Sequence, residues 1–204
     1  MAGTPTGAGS GEVTVSGDEA VTEKVADASA LDDATLVARA RDGDVRAFER
    51  LVRRFQGRIY SLALRMMGNT AEAEDVAQDV FITAWRRLPE IREDAAFVGW
   101  LYRTATNRCL YLLRKRKPVT ELDVDQHSSN DDPAGSAQVS EQLRALHRAL
   151  ATLTPEQRAC WLLREAHGRS YDEIAALVGA TPAGVRGRIA RARIELARVM
   201  RPWR

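Results

Sequence analysis

Cysteine and histidine are scarce in this chain. Cys109 and Cys160 are its two cysteines, and His127, His147 and His167 its three histidines. None falls at a C-x-x-C or H-x-x-x-H spacing, which excludes the usual structural zinc motifs, and two thiols make no disulfide framework. Reduced thiols in a cytoplasmic protein are the expectation. Long apolar runs are missing too. No stretch approaches the roughly 20 residues that span a bilayer, and the N-terminus has neither a basic n-region nor an apolar h-region, so no signal peptide is expected. No segment alternates apolar and polar residues with period two, so no strand is expected. Phosphate loop, metal constellation and nucleophile beside its base are all lacking. The expectation is therefore a protein that is not an enzyme and needs no cofactor.

What the chain has is segregated charge. Thirty Lys and Arg nearly balance 28 Asp and Glu, for a net +2, yet the signs are sorted along the sequence, and local fields rather than the total steer a ligand. Leu101 to Lys117, LYRTATNRCLYLLRKRK, carries six cations and no acid, with aromatics interleaved. Thr181 to Arg204 carries seven arginines against Glu195 alone. Between them Pro118 to Gln142 holds six acids and no Lys or Arg. Two cationic surfaces on one tether point to a protein that grips a nucleic acid at two places.

Periodicity divides the 204 residues into four parts. Residues 1–30 are Gly, Ser, Thr, Ala and acid, a composition expected to be disordered. From 31 to 117 the pattern predicts a helical bundle. Asp32 or Asp33 starts a short helix with Leu36, Val37 and Ala40 inward, and Gly43 breaks it. Phe48, Leu51, Val52, Phe55, Ile59, Leu62, Ala63 and Met66 then form one stripe, ended by Gly68. Asn69 and Glu72 suggest a capping box before a helix burying Val76, Ala77, Val80, Phe81, Ala84, Trp85 and Leu88, stopped by Pro89. A fourth helix, from about Asp94 to Lys115, has Phe97, Trp100, Leu101, Ala105 and Leu112 as core candidates. Residues 118–138 read as a linker. In 139–204, helix resumes at Ser140 with Leu143, Leu146, Leu150 and Leu153. Thr154-Pro155-Glu156-Gln157 and Ser170 with Glu173 mark two helix starts, Gly179 a turn, and Thr181-Pro182 the last start. The fold class is all-α, two small helical domains joined by a flexible acidic linker.

Three stretches carry the candidate chemistry. Ser170 to about Arg198 reads as a helix-turn-helix, with Arg186, Arg188, Arg191 and Arg193 outward on the second helix and no acid at its N-terminus, where backbone N–H groups meet phosphate. An ordinary helical hairpin has the same outline, and Gly184 and Gly187 each cost about 1 kcal/mol there relative to Ala. In the first basic stretch Trp100 and Tyr102 precede Arg103, Asn107, Arg108 and the RKRK run, a mixture suited to unstacked bases. A core tryptophan and a solvated helix end suited to the macrodipole fit the same residues. Asp75, Gln78, Asp79 and Ile82 share one polar-rich helix face, which by itself reads as a solvated one.

DVAQDVFITAWRRL (Asp75 to Leu88), FVGWLYRTATNRCLYLLRKRK (Phe97 to Lys117) and LTPEQRACWLLREAHGRSYDEIAALVGATPAGVRGRIARARIEL (Leu153 to Leu196) together resemble the bacterial sigma factors of the extracytoplasmic-function group, over about residues 34–198 and in order. The two domains resemble region 2 and region 4. The resemblance implies that Asp75, Gln78, Asp79 and Ile82, supported by Val80, Phe81 and Trp85, dock on the clamp helices of the RNA polymerase beta-prime subunit. It implies that Trp100, Arg103, Asn107 and Arg114 capture and melt the −10 element. It implies that Arg186, Arg188 and Arg191 read the −35 element in the major groove, with Ser170 and Thr181 on phosphates. Core RNA polymerase and promoter DNA are the implied partners, with a regulator, usually an anti-sigma factor, masking these surfaces. Tyr111 stands where the family often has an acid, and Gly187 where it often has a serine. The alternative is a free-standing helix-turn-helix regulator that binds duplex DNA without polymerase, its N-terminal bundle sensing or dimerising.

Overall fold

A computed structural model describes residues 31–116 and 145–200, and among them every regular element is helical. Helix α1 (Asp33–Arg41) buries Leu36, Val37 and Ala40. Gly43, at φ 95°, turns the chain. Asp44 then caps α2 (Val45–Met67) by accepting the Ala47 N–H at 3.1 Å. That backbone hydrogen bond, and then Arg39, hold the Asp44 carboxyl below its ordinary value. Along α2, Leu51, Phe55, Ile59, Leu62 and Met66 are buried on one face, each contributing about 1.5–3 kcal/mol by leaving water. Gly68, at φ 71°, ends the helix with its N–H on the Leu64 carbonyl at 2.8 Å, the left-handed cap that favours glycine.

Helix α3 (Thr70–Arg87) starts at Asn69, whose side chain accepts the Glu72 N–H at 2.9 Å. The expected capping box is only half formed, because the Glu72 carboxylate is bonded to Arg116 instead of returning to the cap. Pro89 falls in a short 3₁₀ turn after α3. Arg41 donates to the Ile91 carbonyl at 3.0 Å and to Asp94 at 2.7 Å, tying the following loop to α1. Helix α4 (Phe97–Lys115) buries Phe97, Leu101, Tyr102, Ala105, Thr106, Cys109 and Leu110.

The second group begins with α5 (145–151), where Ala145, Ala149 and Leu150 are buried. Helix α6 (Pro155–Glu165) opens on a complete capping box between Thr154 and Gln157. Helix α7 (Tyr171–Val178) opens on a second, between Ser170 and Glu173, and closes at Gly179, φ 63°. Helix α8 (Pro182–Val199) is capped by Thr181 and buries Val185, Ile189, Ala192 and Leu196.

Several core expectations are corrected. Trp85, assigned to the interior of α3, is 41% exposed, and Ala77 and Phe81 are only half-buried. Phe48 and Val52 of α2 are half-buried as well, because they line an open groove together with Phe81 and Trp85 of α3. Trp100 and Leu112 are half-buried, whereas Tyr102, assigned to a nucleic-acid surface, is 2% exposed. The reason is tertiary: Tyr102 is covered by the second helical group, its ring 5.3 Å from that of His167. The two groups, expected on a loose tether, pack together through α2, α4, α6 and α7. The expected disordered N-terminus (1–30), linker (118–138) and helix start at Ser140 and Leu143 lie outside the described residues.

Candidate functional site

Three surfaces are built from these helices. The first is a groove of about 1010 Å³ between α2 and α3, lined by Phe48, Val52, Tyr60, Phe81, Ile82 and Trp85. Phe48 and Trp85 pack with their rings tilted by 56° and their centroids 4.9 Å apart. Ile82 is 43% exposed, so large apolar surface is left open where most helices would bury it. Steps of three and four bring Asp75, Gln78, Asp79 and Ile82 onto one exposed side of α3. Asp79 accepts a hydrogen bond from Arg108 of α4 at 2.8 Å. Val80 is buried on the opposite side and positions α3 rather than facing a partner.

The second surface runs along α4. Trp100, Arg103, Asn107 and Arg114 follow steps of three, four and seven and therefore share a face. Arg103 and Asn107 are exposed, Trp100 half-buried. Tyr111 fills the gap in this stripe at 47% exposure, with Lys115 Nζ 4.8 Å and the Arg108 guanidinium 5.9 Å from its ring centroid. Sequence reasoning treated Tyr111 as a departure and omitted it; the continuous 103-107-111-114 spacing was the signal that could have included it.

The third surface is the α7–α8 unit. The Ser170 and Thr181 hydroxyls accept the Glu173 and Gly184 N–H groups at 3.1 Å each. A hydroxyl that accepts at a cap still has its proton to donate, which suits a phosphate oxygen. The backbone hydrogen bond at Ser170, and then Arg169, keep Glu173 ionised below its ordinary pKa. A Cβ at Gly184 would come within 3.2 Å of Thr181 Oγ1, so glycine keeps that cap uncrowded. Arg186 lies 5.8 Å over the Tyr171 ring, which Arg164 also faces at 4.7 Å. Arg191 is exposed. One of the four arginines expected outward is corrected: Arg188 is half-buried beside Cys160. Arg193 is exposed as expected and is held by Glu165 at 2.6 Å.

Residues 51–119 match Sigma-70 region 2 and residues 143–196 match Sigma-70, region 4. This chain belongs to the sigma-70 family, in its extracytoplasmic-function group. It is 36% identical over 182 residues to the RNA polymerase sigma-H factor of Pseudomonas aeruginosa, covering 83% of this chain and 94% of that one. It is 36% identical over 184 residues to the ECF RNA polymerase sigma-E factor of Escherichia coli K12, covering 84% and 96%. Among solved structures it is similar to CnrH in complex with the cytosolic domain of CnrY, at TM-score 0.65 and 30% identity over 83% of this chain and 97% of that one. The Bartonella quintana sigma factor RpoE, in complex with the anti-sigma factor NepR, shares the fold at TM-score 0.59 and 22% identity over 76% and 96%.

The groove and the α4 stripe thus fall in region 2 of this sigma factor, and the helix-turn-helix in region 4. The remaining reactive groups are enclosed. Burial pushes the Cys109 thiol up to about 12 and raises that of Cys160. Among the described residues no three His, Cys, Asp or Glu side chains gather as metal ligands, and no helix is long and apolar enough to cross a membrane.

Proposed function

We infer that this chain is a sigma factor that binds core RNA polymerase and directs transcription initiation at its own class of promoters. The observation that carries this is the succession, in one chain, of a region 2 match bearing an open apolar groove and an aromatic, cationic stripe, and a region 4 match bearing an arginine-rich helix-turn-helix.

Each surface has a physical task in that reading. The groove, with Ile82 and Trp85 open and Asp75, Gln78 and Asp79 beside it, receives the beta-prime clamp helices; Val80 and Phe81 hold α3 in place. Apolar anchors ringed by polar groups are what a helical partner requires. The α4 stripe acts on the −10 element. Opening a DNA step costs on average about 1.4 kcal/mol, and stacking a freed base on an aromatic ring returns about 1–3 kcal/mol. Capturing one or two bases on Trp100 and Tyr111 thus offsets opening of about as many steps, while Arg103, Asn107 and Arg114 follow the strand. Region 4 brings the start of α8 to the −35 major groove. Arg186, Arg188 and Arg191 address base edges or phosphates, and Ser170 and Thr181 donate to phosphates at the helix starts.

The protein acts by binding and positioning, with no chemistry of its own, in the cytoplasm where RNA polymerase works. An anti-sigma factor covering the groove is its expected regulator; the similar CnrH is likewise held by a protein partner, the cytosolic domain of CnrY. A free-standing helix-turn-helix regulator is not favoured, since it leaves the region 2 match without a task. The test is co-purification of core polymerase with the full chain, followed by run-off transcription on genomic templates. Promoter-dependent transcripts are expected only when chain and core are combined. Tight duplex binding by the chain alone, with no effect on core, would overturn the reading.

A further inference from the structure

Where α4, α6, α7 and α8 meet, they leave a polar crevice of about 470 Å³, within the roughly 300–1,000 Å³ of small-molecule sites. At about 30 Å³ per water it has room for about fifteen waters, enough for a small ligand and too little for a DNA duplex. Contacts outside the crevice fix its walls. Arg158 of α6, 8% exposed, donates to the Met66 carbonyl at the C-terminal end of α2, 92 residues away in sequence. The capping box of Thr154 and Gln157 fixes the start of α6, which forms one wall. Arg188 and Arg191 of α8 form a second, and Arg114 of α4 a third.

The charge inside is unbalanced. Helix α4 carries no acid, and the acids of α6 and α8 are already engaged. Glu156 accepts from Arg114 at 3.2 Å, Glu165 from Arg193 at 2.6 Å and Glu195 from Arg198 at 2.6 Å. Among the described residues Arg188 and Arg191 therefore have no salt-bridge partner. Three positions apart on one helix, they share a face. A Cβ at Gly187 would lie 3.7 and 3.8 Å from the two terminal nitrogens of Arg191, so that guanidinium lies back along α8 over the bare glycine and stays at the crevice.

Guanidiniums are planar forks that match phosphate oxygens two at a time, and like charges sharing one crevice repel until an anion joins them. Cations on two separate walls fit an anion charged at both ends better than a single phosphate. The one carboxylate in the lining, Glu156, sits with Arg114 in a solvent-accessible pair, which is worth little on its own and yields Arg114 to a stronger anion. Among the described residues no aromatic ring lines the crevice, and Leu110 and Val178 are its large apolar side chains. Nothing there stacks a base, so the recognised group is the phosphates themselves.

We propose that this crevice is a binding site for a small anion with two linked phosphoryl groups, gripped by Arg188 and Arg191 from one wall and Arg114 from another. Bound there, the diphosphate occupies arginines that the sigma-factor reading gives to promoter DNA and withholds them from it; this consequence rests on that reading, and the site itself does not. The test titrates the full chain, free of polymerase and DNA, with sodium pyrophosphate, inorganic phosphate and ADP by calorimetry at constant ionic strength. One pyrophosphate per chain is expected, bound at least about tenfold tighter than phosphate. Arg191→Gln and Arg114→Gln should each weaken pyrophosphate about tenfold or more, and Glu156→Gln, which removes the competing carboxylate, should tighten it. Arg198→Gln, outside the crevice, should leave it unchanged. Pyrophosphate bound no tighter than phosphate, uptake that does not saturate at one equivalent, or equal losses in Arg191→Gln and Arg198→Gln overturn the site, since each is what a merely basic helix gives. Undiminished binding by Arg114→Gln overturns it too, because α8 would then act alone. Both crevice arginines replaced are exposed, and the rise in melting temperature with pyrophosphate shows folding and binding together; should either variant fail to fold, Arg→Lys at the same position keeps the charge, loses the fork and is expected to weaken binding in its place. ADP bound tighter than pyrophosphate assigns the diphosphate to a nucleotide, and equal or weaker binding assigns it to the free anion; either result keeps the site. On the parent chain, saturating pyrophosphate should raise the Kd for a −35 duplex, taken from a promoter found by run-off transcription, about tenfold. An unchanged Kd overturns the shared use of these arginines. Run-off transcription by the parent chain with core reports on the sigma-factor reading separately, since its outcome does not depend on whether pyrophosphate binds the free chain.

Discussion

Replacing Trp85 by alanine should cost this protein both polymerase affinity and stability, and the two costs can be measured apart. A tryptophan side chain presents up to about 250 Å², and Trp85 leaves 41% of its surface uncovered. Roughly 100 Å² thus waits for a partner, worth about 2.5 kcal/mol at about 25 cal/mol per Å². The expected consequence is a rise of about 70-fold in Kd for core polymerase. Within the free protein the loss is the part already covered, roughly 150 Å² or about 3–4 kcal/mol on the same scale, with the Phe48 contact at 4.9 Å adding about 0.5–1.5 kcal/mol. The domain should therefore stay folded with a lowered melting temperature. The assay is titration of core polymerase with fluorescently labelled chain, beside a thermal melt of the same sample. Ile82→Ala, at a second exposed apolar position of the same groove, should weaken binding in the same direction and by less. Wild-type affinity in a folded Trp85→Ala chain would show that the groove is not where polymerase binds.

Other perturbations separate the remaining surfaces. Arg188→Ala should cost about 1–3 kcal/mol in −35 binding and relax preference at one base position; competition between −35 sequence variants distinguishes this from the uniform loss that a phosphate contact would give. Asn107→Ala and Tyr111→Ala should each reduce open-complex formation more than initial promoter binding, by up to about 1–3 kcal/mol for the ring. Permanganate reactivity of the melted strand reports it, and equal reactivity in variants and parent would remove α4 from the melting step. For pH, His167 is the informative group: burial first, and then Arg65, Arg169 and Arg58, lower its pKa from 6.5 to about 4. The folded state prefers the neutral ring, so the unfolded chain binds the extra proton between those values. Stability is complete above about pH 6.5 and declines as pH falls through the window toward 4. His167→Gln should flatten that decline in melting temperature, and an unchanged slope would place its origin elsewhere.

Helix starts and stops were the most legible part of the sequence, because their chemistry is local. Thr154 and Ser170 cap the helices that their spacing to Gln157 and Glu173 predicts, Thr181 caps the one that Pro182 opens, and Gly68 and Gly179 end their helices as expected, both in the left-handed conformation. Glu72 shows where local logic ends: a residue at the right offset for a capping box gave its carboxylate to Arg116, 44 positions away. Burial was legible where periodicity was strong, as along α2, and misleading at Trp85 and Tyr102. An apolar residue left open for a partner has the same spacing as one in a core, and an aromatic amid cations resembles a base-stacking surface even when a neighbouring helix pair covers it. Arg158 was invisible for a like reason, since nothing near it in sequence indicates a carbonyl 92 residues earlier.

The last three helices of region 4 each begin at a cap supplied by the residue just before them. The orientation of the DNA-reading helix is then written within about fifty consecutive residues, and does not borrow its geometry from the bundle upstream. Promoter preference at the distal element should accordingly be portable: grafted onto a relative's first region, this segment carries its own taste in DNA along with it.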